Sequence, residues 1–200
     1  MTRDIRSVIE DIERDKGNIE TTKAALIEFL NNQENRTIYH LTITYKKRSE
    51  TRHTANVVEN YFKNFYLKDF LPYLMNTKHY NRNSKRNTQP ICIAFLDEHL
   101  LPKTNISVNE NPRFTSRGSN DCIKLHHHAV IAVHDSHVNM INSLINPETN
   151  KAINELPINN SQNIMTTCIA RRDANIIGYA AKKLKTYPDF LSFPDRLAPK

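Results

Sequence analysis

The stretch IKLHHHAVIAV, residues 123–133, places three consecutive histidines inside a run of small and apolar residues. A short apolar run rich in valine and isoleucine is typical of a buried β-strand. Successive side chains of a strand point to opposite faces, so Lys124, His126 and His128 share one face while Leu125 and His127 share the other. Two imidazoles therefore stand side by side on one face, in a position to hold a single cation.

Three further strands are predicted on either side of this one, over TIYHLTITY (37–45), ICIAFLD (91–97) and NIMTTCIARR (163–172). Apolar residues at three- and four-residue steps predict helices over 55–75 and 174–185, the second with Asp173 as its N-cap. A shorter helix is expected over 136–145. The order β-α-β-β-α-β-α predicts an α+β fold with a ferredoxin-like, RRM-like antiparallel sheet (βαββαβ) and one C-terminal helix.

The two ends of the chain differ from this central part. Residues 4–31 carry apolar side chains at helical spacing, with Gly17 between two predicted helices, and the last residues contain three prolines and little periodicity. We therefore expect an N-terminal helical extension over 1–35, one folded domain over 36–187 and an irregular tail over 188–200. The N-terminal helices could cover a face of the sheet or recognise duplex DNA.

The overall charge favours a polyanionic partner. The 200 residues include 28 Lys and Arg against 21 Asp and Glu, a net charge of +7, which favours nucleic acid over a membrane surface. No apolar run approaches the ~20 residues that span a bilayer. Cys92, Cys122 and Cys168 are far apart in the sequence, which argues against a disulfide framework or zinc ribbon and fits a reducing cytoplasm.

A carboxylate near the end of the preceding strand completes a possible metal site. Alternation along ICIAFLDEH places Glu98 opposite the apolar face of Ile93 and Phe95, so Glu98 is expected to meet His126 and His128, with Asp97 in reserve. Two imidazoles and one carboxylate leave coordination positions open for substrate oxygens. The alternative is a solvent-exposed strand with incidental histidines.

The segment YAAKK contains a second group of reactive side chains. In a helix over 174–185, Tyr179 lies beside the buried stripe rather than inside it, with Lys182 and Lys183 one turn further on. A lysine ammonium in that place can stabilise a phenolate or neutralise a phosphate. An ordinary surface tyrosine is the alternative.

Taken together, these segments resemble the HUH endonucleases, and among them the nuclease domains of rolling-circle replication initiators (Rep proteins). HLTITYK (40–46) resembles the family's first-strand motif, LHHHAVI (125–131) its metal motif, and Tyr179-Ala-Ala-Lys182 its nucleophile motif, in the family's order. The resemblance covers roughly residues 37–186. His127 stands where the family usually has an apolar residue, and the segment between Glu98 and His126 is long.

The resemblance implies a metal-dependent reaction on single-stranded DNA at a replication origin of a plasmid or virus. Tyr179 would attack the scissile phosphate and form a 5′-phosphotyrosine link, helped by Lys182 (Lys183 in reserve) and by Mg²⁺ or Mn²⁺ on His126, His128 and Glu98. It also implies a bacterial or archaeal cytoplasm, or the host-cell interior for a viral protein. Because the chain has no GxxxxGK[ST] motif, unwinding would need a separate helicase or a part of the gene product outside this chain.

Basic residues outside these motifs are candidates for contacts with the DNA backbone. They are Lys78, Arg82, Lys85, Arg86, Arg113, Arg117 and Lys124. Tyr39, Tyr45 and Tyr80 are candidates for stacking on bases, although Tyr39 and Tyr45 suit a core equally well.

Three other functions remain compatible with the sequence. A single-tyrosine HUH transposase shares the motif order but generally lacks the Tyr-x-x-Lys pattern. A non-enzymatic RRM-like nucleic-acid-binding protein would need exposed aromatic residues on its central strands, where this chain has histidines. A metal-dependent hydrolase with a water nucleophile would stay active without Tyr179.

Overall fold

The computed structural model of the 200-residue chain describes residues 5–14, 18–45, 54–80, 82–100, 123–145, 164–182, 184 and 190–194. Within these ranges lies an α+β structure built on an open, five-stranded antiparallel sheet.

The strands are β1 (Arg36–Tyr45), β2 (Ile91–Leu100), β3 (Ile123–His134), β4 (Ile164–Arg171) and β5 (Phe190–Phe193). They lie in the order β4-β1-β3-β2-β5. The strand with the three histidines is therefore the central one, and each of its neighbours is antiparallel to it. The four strands predicted from the sequence are confirmed, with bounds that differ by up to three residues.

The tail was predicted to be irregular, and this is wrong for Phe190–Phe193, which pairs with β2. Cys92 lies opposite Phe193 and Phe95 opposite Phe190. The segment is only four residues long and is followed by Pro194, so its own sequence gives a weak signal. Long-range pairing with a strand edge is what makes it a strand.

Six α-helices are described: α1 (Ile5–Arg14), α2 (Ile19–Asn31), α3 (Ala55–Asn64), α4 (Leu71–Leu74), α5 (Val138–Asn142) and α6 (Ile176–Ala180). A π-helical segment, Phe65–Phe70, joins α3 to α4, so the predicted helix over 55–75 is continuous. Short 3₁₀ segments cover Asn83–Thr88 and Asp135–His137. The first of these lies in a region predicted to be loop throughout.

The helix after β4 is shorter than predicted. Asp173 accepts a hydrogen bond from the Asn175 amide at 3.0 Å but does not cap α6, whose first helical residue is Ile176. The backbone around it turns through i→i−3 bonds, such as Ile177 N to Ala174 O and Gly178 N to Asn175 O. A tight turn here carries the chain from the sheet edge directly onto the sheet face.

Both faces of the sheet are covered. On one face, α3, α4 and the π segment pack on alternate residues of the strands, including Leu41, Leu96 and Ala129. On the other face, α1, α2 and α6 pack on Ile93 and Val130 and their neighbours. The N-terminal helices thus lie on the same face of the sheet as His126 and His128, whereas the domain boundary near residue 35 stays a prediction.

Among the residues that the structure describes, no helix combines the length and apolarity needed to cross a bilayer.

Candidate metal centre

Two neighbouring strands bring three ligand atoms together. Asp97 of β2 lies directly opposite His126 of β3, and His128 follows two residues later on the same face. The Asp97 Oδ2 atom lies 3.4 Å from His126 Nε2 and 3.3 Å from His128 Nε2, and the two imidazole nitrogens are 3.1 Å apart. All three side chains are buried. Their ligand atoms lie within 4.8 Å of one another, close enough for one cation to bind them all.

The carboxylate in this cluster is Asp97, and the sequence-based choice of Glu98 is corrected. Glu98 lies opposite Leu125, whose side chain belongs to the other face of the sheet. The ladder between β2 and β3 runs from Ile91 to Leu100 without a register shift, so no bulge is involved. The error arose because the face with Ile93 and Phe95 was taken as the core face, away from the histidines. The sheet has a core on both faces, and that face also carries His126 and His128.

Lys182 balances the charge of Asp97. Its Nζ atom lies 2.7 Å from Asp97 Oδ2, which is the distance of a charge-assisted hydrogen bond. Asp97 Oδ1 accepts a hydrogen bond from the Glu98 amide at 2.8 Å. Burial alone would raise the pKa of the Asp97 carboxyl, but Lys182, this amide and His126 outweigh burial and lower the pKa. Asp97 is therefore an anion at neutral pH.

Residues of β1 contact the far nitrogen of His128. His128 Nδ1 lies 3.2 Å from His40 Nε2 and 3.1 Å from Thr42 Oγ1. Burial, followed by the charge of His126, lowers the pKa of His128 to about 3, and burial with the charges of Arg172 and Lys182 lowers that of His40 to about 4. Both imidazoles are thus neutral at pH 7, so each has one unprotonated nitrogen, and that of His128 can bind a metal.

Tyr179 lies at the edge of this cluster and faces solvent. Half of its surface is exposed (51%). Among the described residues, Tyr179 is the one large apolar side chain that is exposed. Its ring centroid is 5.1 Å from that of His128 and 5.8 Å from that of His40, and Lys182 Nζ lies 4.7 Å from it. The placement of Tyr179 beside the buried stripe of the helix agrees with the sequence, since Ile177 and Ala180 are buried.

His127 points into the opposite core. Its Nδ1 atom lies 2.6 Å from the Tyr45 hydroxyl, its ring packs on Phe62 at a centroid distance of 4.8 Å, and its Nε2 atom has no hydrogen-bond partner in the described structure. Burial, with the charges of His126 and His128, lowers its pKa to about 3. His127 is therefore a neutral core residue that occupies a position suited to an apolar side chain.

The predicted DNA contacts are only partly described. Lys78, Arg82 and Lys85 are exposed. The side chains of Arg86 and Lys124 lie outside the described residues, as do Arg113, Arg117 and the reserve Lys183.

The basic segment Asn83–Thr88 lies away from the candidate metal centre. Arg36 holds it by donating to Asn87 O at 2.8 Å, next to a bond to Gln89 O and one to Ala132 O. Ala132 is four residues beyond His128 on β3, about 13 Å along the strand. Contacts made by this segment would therefore be to DNA at some distance from Tyr179.

Of the tyrosines considered for base stacking, Tyr39 and Tyr45 are buried and Tyr80 is partly buried. Tyr39 and Tyr45 are buried in the core, and the Tyr39 hydroxyl donates to Asn142 Oδ1 at 2.7 Å. Tyr80 packs against the same core, and its hydroxyl donates to Leu67 O at 2.8 Å.

Sequence reasoning assigned no role to His40, Thr42 or Arg172. His40 and Thr42 fall in the strand that resembles the first family motif, and period-2 alternation places them on one face. That signal could have selected them, but only the pairing of Thr42 with His128 shows which face it is.

The donor set suits a divalent metal ion. Two imidazoles and one carboxylate bind divalent metals in proteins and leave coordination positions open for substrate. The carboxylate is ionised, His128 is neutral, and the three ligand atoms lie within 4.8 Å of one another, so the three side chains fit a bound cation. No protein-family model, curated protein or solved structure matches the chain.

Proposed function

We propose that the protein is a metal-dependent nuclease and strand transferase that nicks single-stranded DNA through Tyr179 and rejoins it. The observation that carries the proposal is the position of a half-exposed tyrosine within 5.1 Å, ring to ring, of a buried Asp-His-His cluster. The Tyr179 ring contacts both a candidate metal ligand, His128, and the ammonium of Lys182. An ordinary surface tyrosine would not need these two contacts.

The chemistry assigned to Tyr179 is an in-line attack on a phosphodiester. The phenol loses its proton, its oxygen forms a bond to phosphorus, and the bond from phosphorus to the 3′ oxygen breaks as that oxygen takes up a proton. The products are a 5′-phosphotyrosine link and a free 3′-hydroxyl, and the reverse reaction rejoins the strand. A bound Mn²⁺ or Mg²⁺ would offset the charge that develops on the phosphate oxygens.

Lys182 would act through its charge. Burial alone would lower the pKa of its ammonium, but Asp97 and Tyr179 outweigh burial and raise the pKa. The group therefore remains protonated at neutral pH and is a poor base. Its place between Asp97 Oδ2 and the Tyr179 ring suits the stabilisation of a phenolate or of a phosphate oxygen.

The arrangement of the strands supports our proposal that the protein is an HUH endonuclease. β1 to β4 lie in the order 4-1-3-2, with all neighbours antiparallel, as in a split βαβ, ferredoxin-like sheet. The chain's basic charge favours a nucleic-acid substrate. Initiation of rolling-circle replication is the role that we propose for the reaction, with origin DNA and a separate helicase as partners.

The proposal is tested by mixing the protein with a diverse pool of single-stranded DNA and Mn²⁺ and resolving the products on a denaturing gel. We expect a protein–DNA adduct that is lost with EDTA and in Tyr179→Phe. Asp97→Asn should reduce the adduct by more than tenfold and weaken Mn²⁺ binding, whereas the matched change Glu98→Gln one residue away should do neither.

Three results would contradict parts of the proposal. Cleavage that persists in Tyr179→Phe would indicate a water nucleophile or another tyrosine, and Tyr187 would be changed next. Binding of DNA without cleavage under any metal condition would favour the RRM-like binding protein. An adduct lost in Glu98→Gln but kept in Asp97→Asn would restore the ligand set expected from the sequence.

A further inference from the structure

We propose that His40 is a positioning residue, which accepts a hydrogen bond from Nδ1–H of His128 and thereby leaves Nε2 of His128 free to bind the metal. The inference rests on the metal site of the proposed function and adds to it a residue that is not one of the three candidate ligands.

The two ring nitrogens of His128 face different neighbours. Its Nε2 atom faces Asp97 Oδ2 at 3.3 Å and His126 Nε2 at 3.1 Å, so Nε2 is the nitrogen on the metal side. Its Nδ1 atom faces the other way, towards His40 Nε2 at 3.2 Å. The planes of the two imidazoles differ by only 22° at a centroid distance of 5.1 Å, which suits a nearly in-plane hydrogen bond between ring nitrogens.

Metal binding through Nε2 requires the proton of neutral His128 to be on Nδ1. A neutral imidazole carries one proton, and only the unprotonated nitrogen can bind a metal. If the proton were on Nε2, it would point at Asp97 Oδ2, and the nitrogen needed for the metal would be blocked. An acceptor at Nδ1 makes the other tautomer favourable, as partners of metal-binding histidines commonly do.

Thr42 also contacts His128 Nδ1, but its effect on the tautomer differs from that of His40. Thr42 Oγ1 lies 3.1 Å from the same Nδ1 atom, opposite His128 on the adjacent strand. A hydroxyl can rotate to donate or to accept, so Thr42 stabilises either tautomer. It provides a second acceptor, which limits the loss expected when His40 is changed.

His40 also contacts Tyr179, the proposed nucleophile. The His40 ring meets the Tyr179 ring edge-on at 5.8 Å, while it lies nearly parallel to His128. His40 therefore contacts both a candidate metal ligand and the tyrosine, which also contact each other. Because His40 acts through His128, a substitution of His40 should change the affinity of the site for metal. This effect can be measured without DNA.

The test compares Mn²⁺ affinity, measured without DNA by electron paramagnetic resonance, in wild type, His40→Gln, His40→Phe and Thr42→Val. We expect His40→Phe to weaken binding about tenfold, because it keeps a ring but removes the acceptor. His40→Gln can present its carbonyl oxygen to Nδ1 and should restore most of the affinity. The combined His40→Phe and Thr42→Val variant should lose more than either change alone.

Two controls separate positioning from folding. Thermal unfolding in EDTA should give similar midpoints for His40→Gln and His40→Phe, and His40→Leu serves as a second variant without an acceptor if phenylalanine does not fit. In wild-type protein labelled with ¹⁵N and loaded with Mg²⁺ or Zn²⁺, nuclear magnetic resonance should show a scalar coupling between His128 Nδ1 and His40 Nε2, with the proton on His128.

Equal Mn²⁺ affinity in wild type and His40→Phe, or a proton found on Nε2 of metal-loaded His128, would overturn the inference and leave the metal site standing. Failure of the wild-type protein to bind Mn²⁺ would overturn the inference together with the metal-dependent function. Metal binding as expected without any DNA adduct would support the role of His40 while contradicting the proposed reaction.

Discussion

Lys182 and the proposed metal have overlapping roles at the level of single residues. Its ammonium lies 2.7 Å from the same carboxylate oxygen, Asp97 Oδ2, that faces the two imidazole nitrogens. A divalent ion bound by these atoms would repel the ammonium at that distance. Lys182 would therefore compete with a metal ion for Asp97 Oδ2.

From this competition we predict that Lys182→Met binds Mn²⁺ more tightly than wild type, while it forms less DNA adduct. The gain in affinity should be about fivefold, since ion pairs with a partly exposed partner contribute about 1 kcal/mol or less. Calorimetry without DNA measures the affinity, and the denaturing gel measures the adduct. Weaker Mn²⁺ binding in Lys182→Met would mean that Lys182 organises the site rather than competing with the metal.

At the scale of the element, β3 combines two environments on one strand. His126 and His128 face the candidate metal centre, while His127 between them faces the core at Tyr45 and Phe62. The arrangement follows from alternation alone, since an odd residue between two ligands must point to the other face. As a consequence, the His127 imidazole is buried, and its Nε2 atom has no hydrogen-bond partner within the described structure.

We predict that the paired change His127→Leu with Tyr45→Phe is at least as stable as wild type. Each single change leaves a buried polar group without its partner and should cost about 1–3 kcal/mol, whereas replacing both partners removes the problem. Urea unfolding in EDTA of the four proteins measures the free energies and their coupling. Destabilisation of the double variant equal to the sum of the two single changes would show that the Tyr45–His127 contact contributes nothing.

At the scale of the whole molecule, several buried histidines link folding to pH. Burial lowers the pKa of His127 to about 3, of His128 to about 3 and of His40 to about 4, all below the ordinary value of 6.5. Between about pH 3 and pH 6.5, the unfolded chain therefore binds more protons than the folded chain. Stability is fully present above about pH 6.5 and is lost as the pH falls towards 3.

We predict that the free energy of unfolding in EDTA falls between pH 7 and pH 5, with about 2 kcal/mol of the loss due to His127. Urea unfolding at a series of pH values measures the slope. The variant with His127→Leu and Tyr45→Phe serves as the control, because it lacks this histidine and should show a flatter profile. Parallel profiles for the two proteins would mean that His127 titrates in the folded state as it does in the unfolded chain.

The helices on the two faces of the sheet also belong to this scale. α1 and α2, whose function the sequence left open, pack with α6 on the face that carries His126 and His128. Phe29 and Leu30 of α2 are buried in the same hydrophobic cluster as Ile93 and Val130 of the sheet. The apolar spacing of residues 4–31 predicted the helices, but it did not show which surface they cover.

Local patterns were enough to predict much of this protein. The alternation of apolar residues located β1 to β4 and placed His126 with His128 on one face and His127 on the other. Helical spacing placed Tyr179 at the edge of a buried stripe and Lys182 one turn away. These features depend on the geometry of one strand or one turn, which neighbouring residues in the chain determine.

The tertiary structure decided which carboxylate meets the histidines, that Phe190–Phe193 is a strand, and that His40 and Thr42 lie against His128. Each of these depends on register or pairing between segments far apart in sequence. A shift of one residue between β2 and β3 would exchange Asp97 for Glu98, and nothing within either strand prevents it. Register is set by packing on both faces of the sheet, and that packing exists only once the chain has folded.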